Sequence, residues 1–82
     1  MFKKSIHSKE YFYTVIYEPV EEGGYQVLVP LLPGLISYGR TLDEAREMAR
    51  DAIRCYLESL LKRKEKVPQE KGILQEKLSI SF

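Results

Sequence analysis

The side chains that could take part in chemistry are twelve acidic residues, one histidine and one cysteine. Asp43, Glu44, Glu47 and Asp51 lie close together, and a metal-dependent nuclease needs several carboxylates that converge on metal ions. These four are explained more simply by a helix, with the first two in its first turn and the others on its solvent face. No Ser/His/Asp set, metal-ligand spacing or phosphate-binding glycine loop occurs. We therefore expect no enzymatic activity, no metal ion and no cofactor.

The histidine and the cysteine are each isolated. His7 lies in a polar lead-in at residues 1–10 and is expected to be a surface residue. Cys55 is expected to be a half-buried small apolar residue, and a single cysteine allows no intrachain disulfide, which fits a reducing compartment. The N-terminus lacks the apolar run of a signal peptide, and no stretch approaches the roughly 20 apolar residues of a membrane span. We expect a cytoplasmic protein.

The element that organises the rest of the chain is one long amphipathic helix predicted over residues 41–64. Its apolar side chains follow the i, i+3, i+4, i+7 spacing that places them on one face. They are Leu42, Ala45, Ala49, Ala52, Ile53, Tyr56, Leu57 and Leu60. Thr41 is a favourable N-cap, and Glu44 three residues later completes a capping-box pattern. No Gly or Pro interrupts this span, so a continuous helix is expected.

Four strands are predicted around this helix, at residues 11–18, 25–29, 36–38 and 77–82. The segment Leu32-Pro33-Gly34-Leu35 between the second and third has the Pro and Gly positions of a type II turn. The order is β-β-β-α-β, and a right-handed crossover would place the fourth strand on the free edge of the first. We therefore predict an α+β fold: a single domain over residues 1–82, with its core at about 11–82, and a four-stranded mixed sheet of order 3-2-1-4 with the helix on one face.

The first predicted strand is mainly apolar on both faces, and one helix can cover only one of them. This predicts a homodimer or tetramer that buries the other face through the strand-one side chains opposite the helix. The interface residues proposed for this contact are Tyr11, Tyr13, Val15 and Tyr17. The pattern alone leaves open which face the helix covers.

Three segments resemble the HicB family of antitoxins. They are the acidic hairpin of residues 18–25, the Pro-Leu-Leu-Pro-Gly-Leu run of residues 30–35, and Gly39-Arg40-Thr41-Leu42-Asp43-Glu44-Ala45 at the helix start. Together the resemblance covers about residues 11–68. It implies a partial ribonuclease-H-like β-β-β-α-β fold, in agreement with the pattern. Arg40 and Leu35 stand where the family often has an acid and a cysteine.

The resemblance implies a protein that binds a small mRNA-cleaving toxin, HicA, and masks its surface. Because such a toxin should be basic, the acids Glu18, Glu21 and Glu22, with Tyr25 as an aromatic anchor, are the proposed partner-binding residues. The simpler interpretation is that these acids only solvate a turn. Residues 65–82 are too few for the DNA-binding domain that many members add, so we expect a stand-alone member that does not bind DNA directly.

Two alternatives to toxin binding stay open. A solo domain could bind another protein without any toxin partner. It could also bind single-stranded nucleic acid by stacking bases on sheet aromatics such as Tyr13 and Tyr25. The net charge of +1 and the scarcity of Lys and Arg in the strands argue against the second. The basic residues after the helix are interleaved with acids, which is typical of a solvated connection.

Overall fold

The computed structural model describes residues 10–82, and His7 lies outside them. The elements are β1 (Ile16–Pro19), β2 (Tyr25–Leu28), β3 (Ile36–Gly39) and α1 (Leu42–Lys62). The strands form an antiparallel sheet in the order β1-β2-β3. The predicted α+β class, the first three strands and the long helix are confirmed.

The first strand is shorter than predicted. A strand was expected at residues 11–18, and β1 covers Ile16–Pro19. Its pairing with β2 begins at Ile16 and Leu28. Just beyond Leu28 the chain turns, and the Leu32 N–H donates to the Val29 carbonyl at 2.9 Å. Residues 11–15 are left without a neighbouring strand. Their β-branched and aromatic residues favour a strand, but a strand forms only where a second one accepts its hydrogen bonds.

The fourth strand predicted at residues 77–82 is not formed, so the order 3-2-1-4 is not seen. Residues 71–82 are exposed and belong to no strand. A bend at Gly72, which has a φ of 68°, precedes this segment. Alternation of apolar and polar residues shows how a strand would orient its side chains, but it does not provide the edge to which the strand must bond.

The helix begins as predicted and ends in a defined cap. The Thr41 hydroxyl accepts from the Glu44 N–H at 3.0 Å. In a capping box the Glu44 carboxylate would accept from the N–H of the N-cap residue, Thr41. Here it accepts from the N–H of Arg40, one residue earlier, at 2.6 Å. At the other end, Lys64 has a φ of 58° and Glu65 N–H donates to the Leu60 carbonyl at 2.8 Å, as in a Schellman motif. Cys55, expected to be half-buried, is exposed.

The core lies between the helix and one face of the sheet. Its buried residues are Val27, Val29, Leu32, Leu35, Ala45 and Ala49. Gly39 at the end of β3 lets the helix approach closely, because a Cβ there would overlap the backbone of Ala45. The turn before β3 has the predicted form: Leu35 N–H donates to the Leu32 carbonyl at 3.2 Å, and Gly34 has a φ of 87°.

We predict that Gly39→Ala lowers the free energy of unfolding by about 3 kcal/mol or more, since the methyl group would meet helix backbone that cannot rotate away. Gly34→Ala is the matched control. Nothing lies within 4 Å of a Cβ at Gly34, so only its positive φ opposes alanine, at about 1 kcal/mol. Urea denaturation of both variants measures the difference. Equal losses would show that the helix does not approach the sheet at Gly39.

Candidate functional site

The sheet has two different faces, which the strand register defines. The face toward α1 carries Tyr17, Tyr25 and Val27, which belong to the core or pack against it. Side chains alternate between faces along a strand, so their chain neighbours point away from the helix. This second face, called the outer face below, consists of two cross-strand rows. They are Ile16-Leu28-Ile36 and Glu18-Gln26-Tyr38.

The outer face combines apolar and polar side chains that remain accessible. Ile36 is 67% exposed and Tyr38 is 44% exposed. Beside them is a shallow depression of about 560 Å³, lined by Val20, Glu22, Gln26, Ile36, Ser37 and Tyr38. Within residues 10–82, α1 is the only helix, and it lies on the other face. Exposed apolar residues surrounded by polar ones are typical of a surface that binds another protein.

The acidic turn between β1 and β2 is held against this face. Val20 N–H donates to the Gly24 carbonyl at 3.1 Å, and Gly23 N–H donates to the Val20 carbonyl at 3.0 Å. The Tyr38 hydroxyl donates to the Gly23 carbonyl at 2.6 Å. The turn is therefore fixed at both ends and from the third strand, and Glu21 and Glu22 at its tip are exposed.

The proposed partner-binding residues do not all share one face. Glu18 lies on the outer face, and Glu21 and Glu22 lie in the turn, all three exposed. Tyr25 is half-buried and packs against the core on the helix side. Sequence reasoning missed Ile36 and Tyr38, which the structure places beside Glu22. The alternation in β3 was a usable signal, but it does not state which face the helix occupies. Partner contact by these residues stays a prediction.

The proposed interface residues lie on the helix side of the sheet. Tyr13, Val15 and Tyr17 pack against the core, and the ring of Tyr11 stacks on that of Tyr13 with centroids 6.5 Å apart. They border a groove of about 680 Å³ between the first strand region and the helix. The groove is lined by Glu10, Tyr11, Phe12, Tyr13, Val15, Tyr17, Arg46, Ala49, Arg50 and Ile53. The contact predicted for this set was opposite the helix; these side chains are on the helix side, and their contact with a second copy stays a prediction.

Residues after the helix return to this same region. The Tyr13 hydroxyl donates to the Pro68 carbonyl at 2.5 Å. The Glu70 carboxylate accepts from the N–H of Thr14 and, at 3.1 Å, from its hydroxyl. The Glu70 carboxylate thus accepts from the Thr14 N–H, which would donate to a neighbouring strand if one were present. The pKa of Tyr13 is raised above its ordinary value, first by burial and then by the negative charges of Tyr11 and Glu70.

Residues 10–82 contain no group of three or more His, Cys, Asp or Glu side chains that could hold a metal ion. Over the same residues, α1 is too polar to cross a membrane, and no other helix is present that could do so. The fold and the outer face together define a small α+β domain with a mixed apolar and acidic surface.

Comparison with known proteins identifies the family of this domain. The family described as "HicB_like antitoxin of bacterial toxin-antitoxin system" matches residues 13–81, and the chain belongs to this family. The resemblance inferred from the sequence is confirmed. Membership in an antitoxin family indicates a non-catalytic role and, in general, a toxin as partner.

Relatives come from archaea and bacteria. The chain is 48% identical over 58 residues to a UPF0150 protein of Thermoplasma acidophilum, covering 71% of this chain and 84% of the relative. It is 40% identical over 65 residues to a UPF0150 protein of Synechocystis, covering 79% and 82%. It is 46% identical over 56 residues to Antitoxin HicB 1 of Photorhabdus laumondii, covering 68% of this chain but 36% of that protein.

We predict that the Tyr13 phenol titrates at a higher pH than a free tyrosine, because burial and nearby negative charge favour its neutral form. The stability that this shift provides is complete below the ordinary tyrosine pKa and is lost as pH rises through the raised one. The difference in phenolate absorbance between wild type and Tyr13→Phe measures the titration. Glu70→Gln should move the midpoint down, and a midpoint at or below that of free tyrosine would contradict the prediction.

Proposed function

We propose that this chain neutralises a small, basic, mRNA-cleaving toxin of the HicA type in the cytoplasm by masking the toxin's surface. The observation that carries the proposal is the outer face, where exposed Ile36 and Tyr38 line a depression together with Glu22 of the turn. Glu18 lies in the same cross-strand row as Tyr38, with Gln26 between them. Family membership and the likeness to Antitoxin HicB 1 support it. The chain binds and does not cleave.

The chemistry of the outer face suits a basic protein. The apolar row provides area that becomes dry on contact, and this area contributes most of the affinity. The acids at its border attract the partner and fix its orientation, while charges left in water add little affinity by themselves. Tyr38 serves both purposes, since its ring is exposed and its hydroxyl holds the acidic turn.

Single-stranded nucleic acid, the alternative ligand, receives little support from this arrangement. Tyr13 and Tyr25, the aromatics considered for base stacking, pack against the core on the helix side. The exposed aromatic of the outer face is Tyr38, and acids border it. A phosphate backbone would be repelled at this surface.

We predict that the double variant Glu18→Lys/Glu22→Lys binds a HicA-type toxin encoded beside its gene roughly 100-fold more weakly than wild type, because two attractive charges become repulsive. Calorimetric titration at two salt concentrations measures the affinity and its salt dependence. The toxin's catalytic histidine is replaced so that it can be produced.

The matched control is Glu47→Lys/Glu58→Lys, which reverses two exposed acids on the helix. It should leave the affinity within a few-fold of wild type, since both acids are on α1, away from the outer face. It should also leave the fold intact, because the Arg50–Glu47 pair that it removes is exposed and contributes little to stability. If both variants weakened toxin binding equally, the effect would come from the total charge of the chain and not from the position of the acids. Unchanged binding by Glu18→Lys/Glu22→Lys would exclude the outer face as the toxin-binding surface.

A further inference from the structure

The segment of residues 73–82 exposes an unusual amount of apolar surface. Leu74, Leu78, Ile80 and Phe82 are each at least 71% exposed. Isolated exposed apolar residues are normal on a protein, but here four fall within one segment of ten residues. A chain of 82 residues has little core with which to offset such exposure. The segment therefore has the composition of a strand that packs against something.

The pattern of the segment specifies what kind of surface it fits. Leu78, Ile80 and Phe82 alternate with Ser79 and Ser81, so in an extended conformation the three apolar side chains point to one side. Such a strand needs an apolar surface on that side and unpaired backbone groups along one edge.

A matching surface exists on the same chain. β1 is an edge strand, and residues 11–15 before it have no neighbouring strand. The groove between this region and the helix includes apolar side chains, among them Ala49, Ile53 and Val15. Glu10, Arg46 and Arg50 also line it. A strand edge without a neighbouring strand, beside a groove with apolar side chains, is the kind of template on which a further strand adds.

Within one copy, the segment of residues 73–82 does not lie against the edge at residues 11–19. The residues just before the segment are hydrogen-bonded near this edge: Pro68 to Tyr13, and Glu70 to Thr14. The bend at Gly72 follows, and every residue after it is exposed. The segment therefore does not pair with the edge of its own copy.

We propose that residues 73–82 of one copy pair with the free edge formed by residues 11–19 of a second copy, with the three apolar side chains in the groove. Two-fold symmetry then makes the exchange reciprocal, and both edges are used. The Thr14 N–H of each edge is already bonded to Glu70 of its own chain, so the exchanged strand bonds the remaining backbone groups of the edge. The proposal does not depend on the toxin, because the groove is on the helix side of the sheet and the outer face is on the other. It gives Tyr11, Tyr13, Val15 and Tyr17 a place in the dimer contact.

The first test compares self-association by light scattering and sedimentation. The full chain is expected to be a dimer at micromolar concentration. Leu78→Ser/Ile80→Ser/Phe82→Ser should associate at least ~100-fold more weakly while keeping its helical circular dichroism, because the buried apolar area is lost. Met48→Ser/Leu61→Ser, which alters exposed apolar residues of the helix, is the control and should stay dimeric. A monomeric wild type, or a triple variant that dimerises as well as wild type, would overturn the proposal.

The second test does not depend on a variant that could unfold. The exposed Cys55 is first replaced by serine, and Thr14→Cys and Ser79→Cys are then made on separate chains of different mass. Mixed and treated with a bismaleimide, they should give a crosslinked dimer that contains one chain of each kind. Glu47→Cys in place of Thr14→Cys should not crosslink. A chain that carries both Thr14→Cys and Ser79→Cys is treated in the same way. A crosslink within this chain, with none between the separate chains, would show that the segment folds back on its own copy and would overturn the exchange, as would no crosslink in any sample.

Discussion

A single helix can cover one face of a sheet, and the rest of this structure follows from that constraint. The helix α1 approaches the sheet closely at Gly39 and Ala45, and the small residues Ala45 and Ala49 of α1 are buried in the core. Everything apolar on the other face is left accessible, including Ile36. In so small a domain the core buries only part of the apolar surface.

Features that depend on neighbouring residues in the chain were predictable from the sequence. The N-cap at Thr41, the helix that follows it and the turn at Pro33-Gly34 each depend on backbone geometry within a few residues. Their bounds are set by nearby residues, although packing on the sheet supplies most of the stability of the helix. The family resemblance, which the match over residues 13–81 confirms, also rested on short local segments.

Features that depend on a second strand were not predictable. Residues 11–15 and 77–82 have strand-like composition, yet neither forms a strand, because pairing requires an edge that composition does not reveal. The same limit applies to the site. Tyr25 lies next to the acidic turn in the chain, but the register points it toward the core and leaves Tyr38 on the outer face. A shift of one residue decides which face a side chain reaches.

The charge of the chain is nearly balanced in total but not in position. The acids of the β1–β2 turn lie at the end of the sheet where Tyr25 pairs with Gly39 and α1 begins. The basic residues Lys62, Arg63 and Lys64 lie at the far end of that helix, about 30 Å away by its length. Charges in water are screened over about 8 Å at physiological salt, so these three basic residues do not offset the negative charge of the turn. The β1–β2 turn therefore carries a local excess of acidic residues that the net charge of +1 does not reveal.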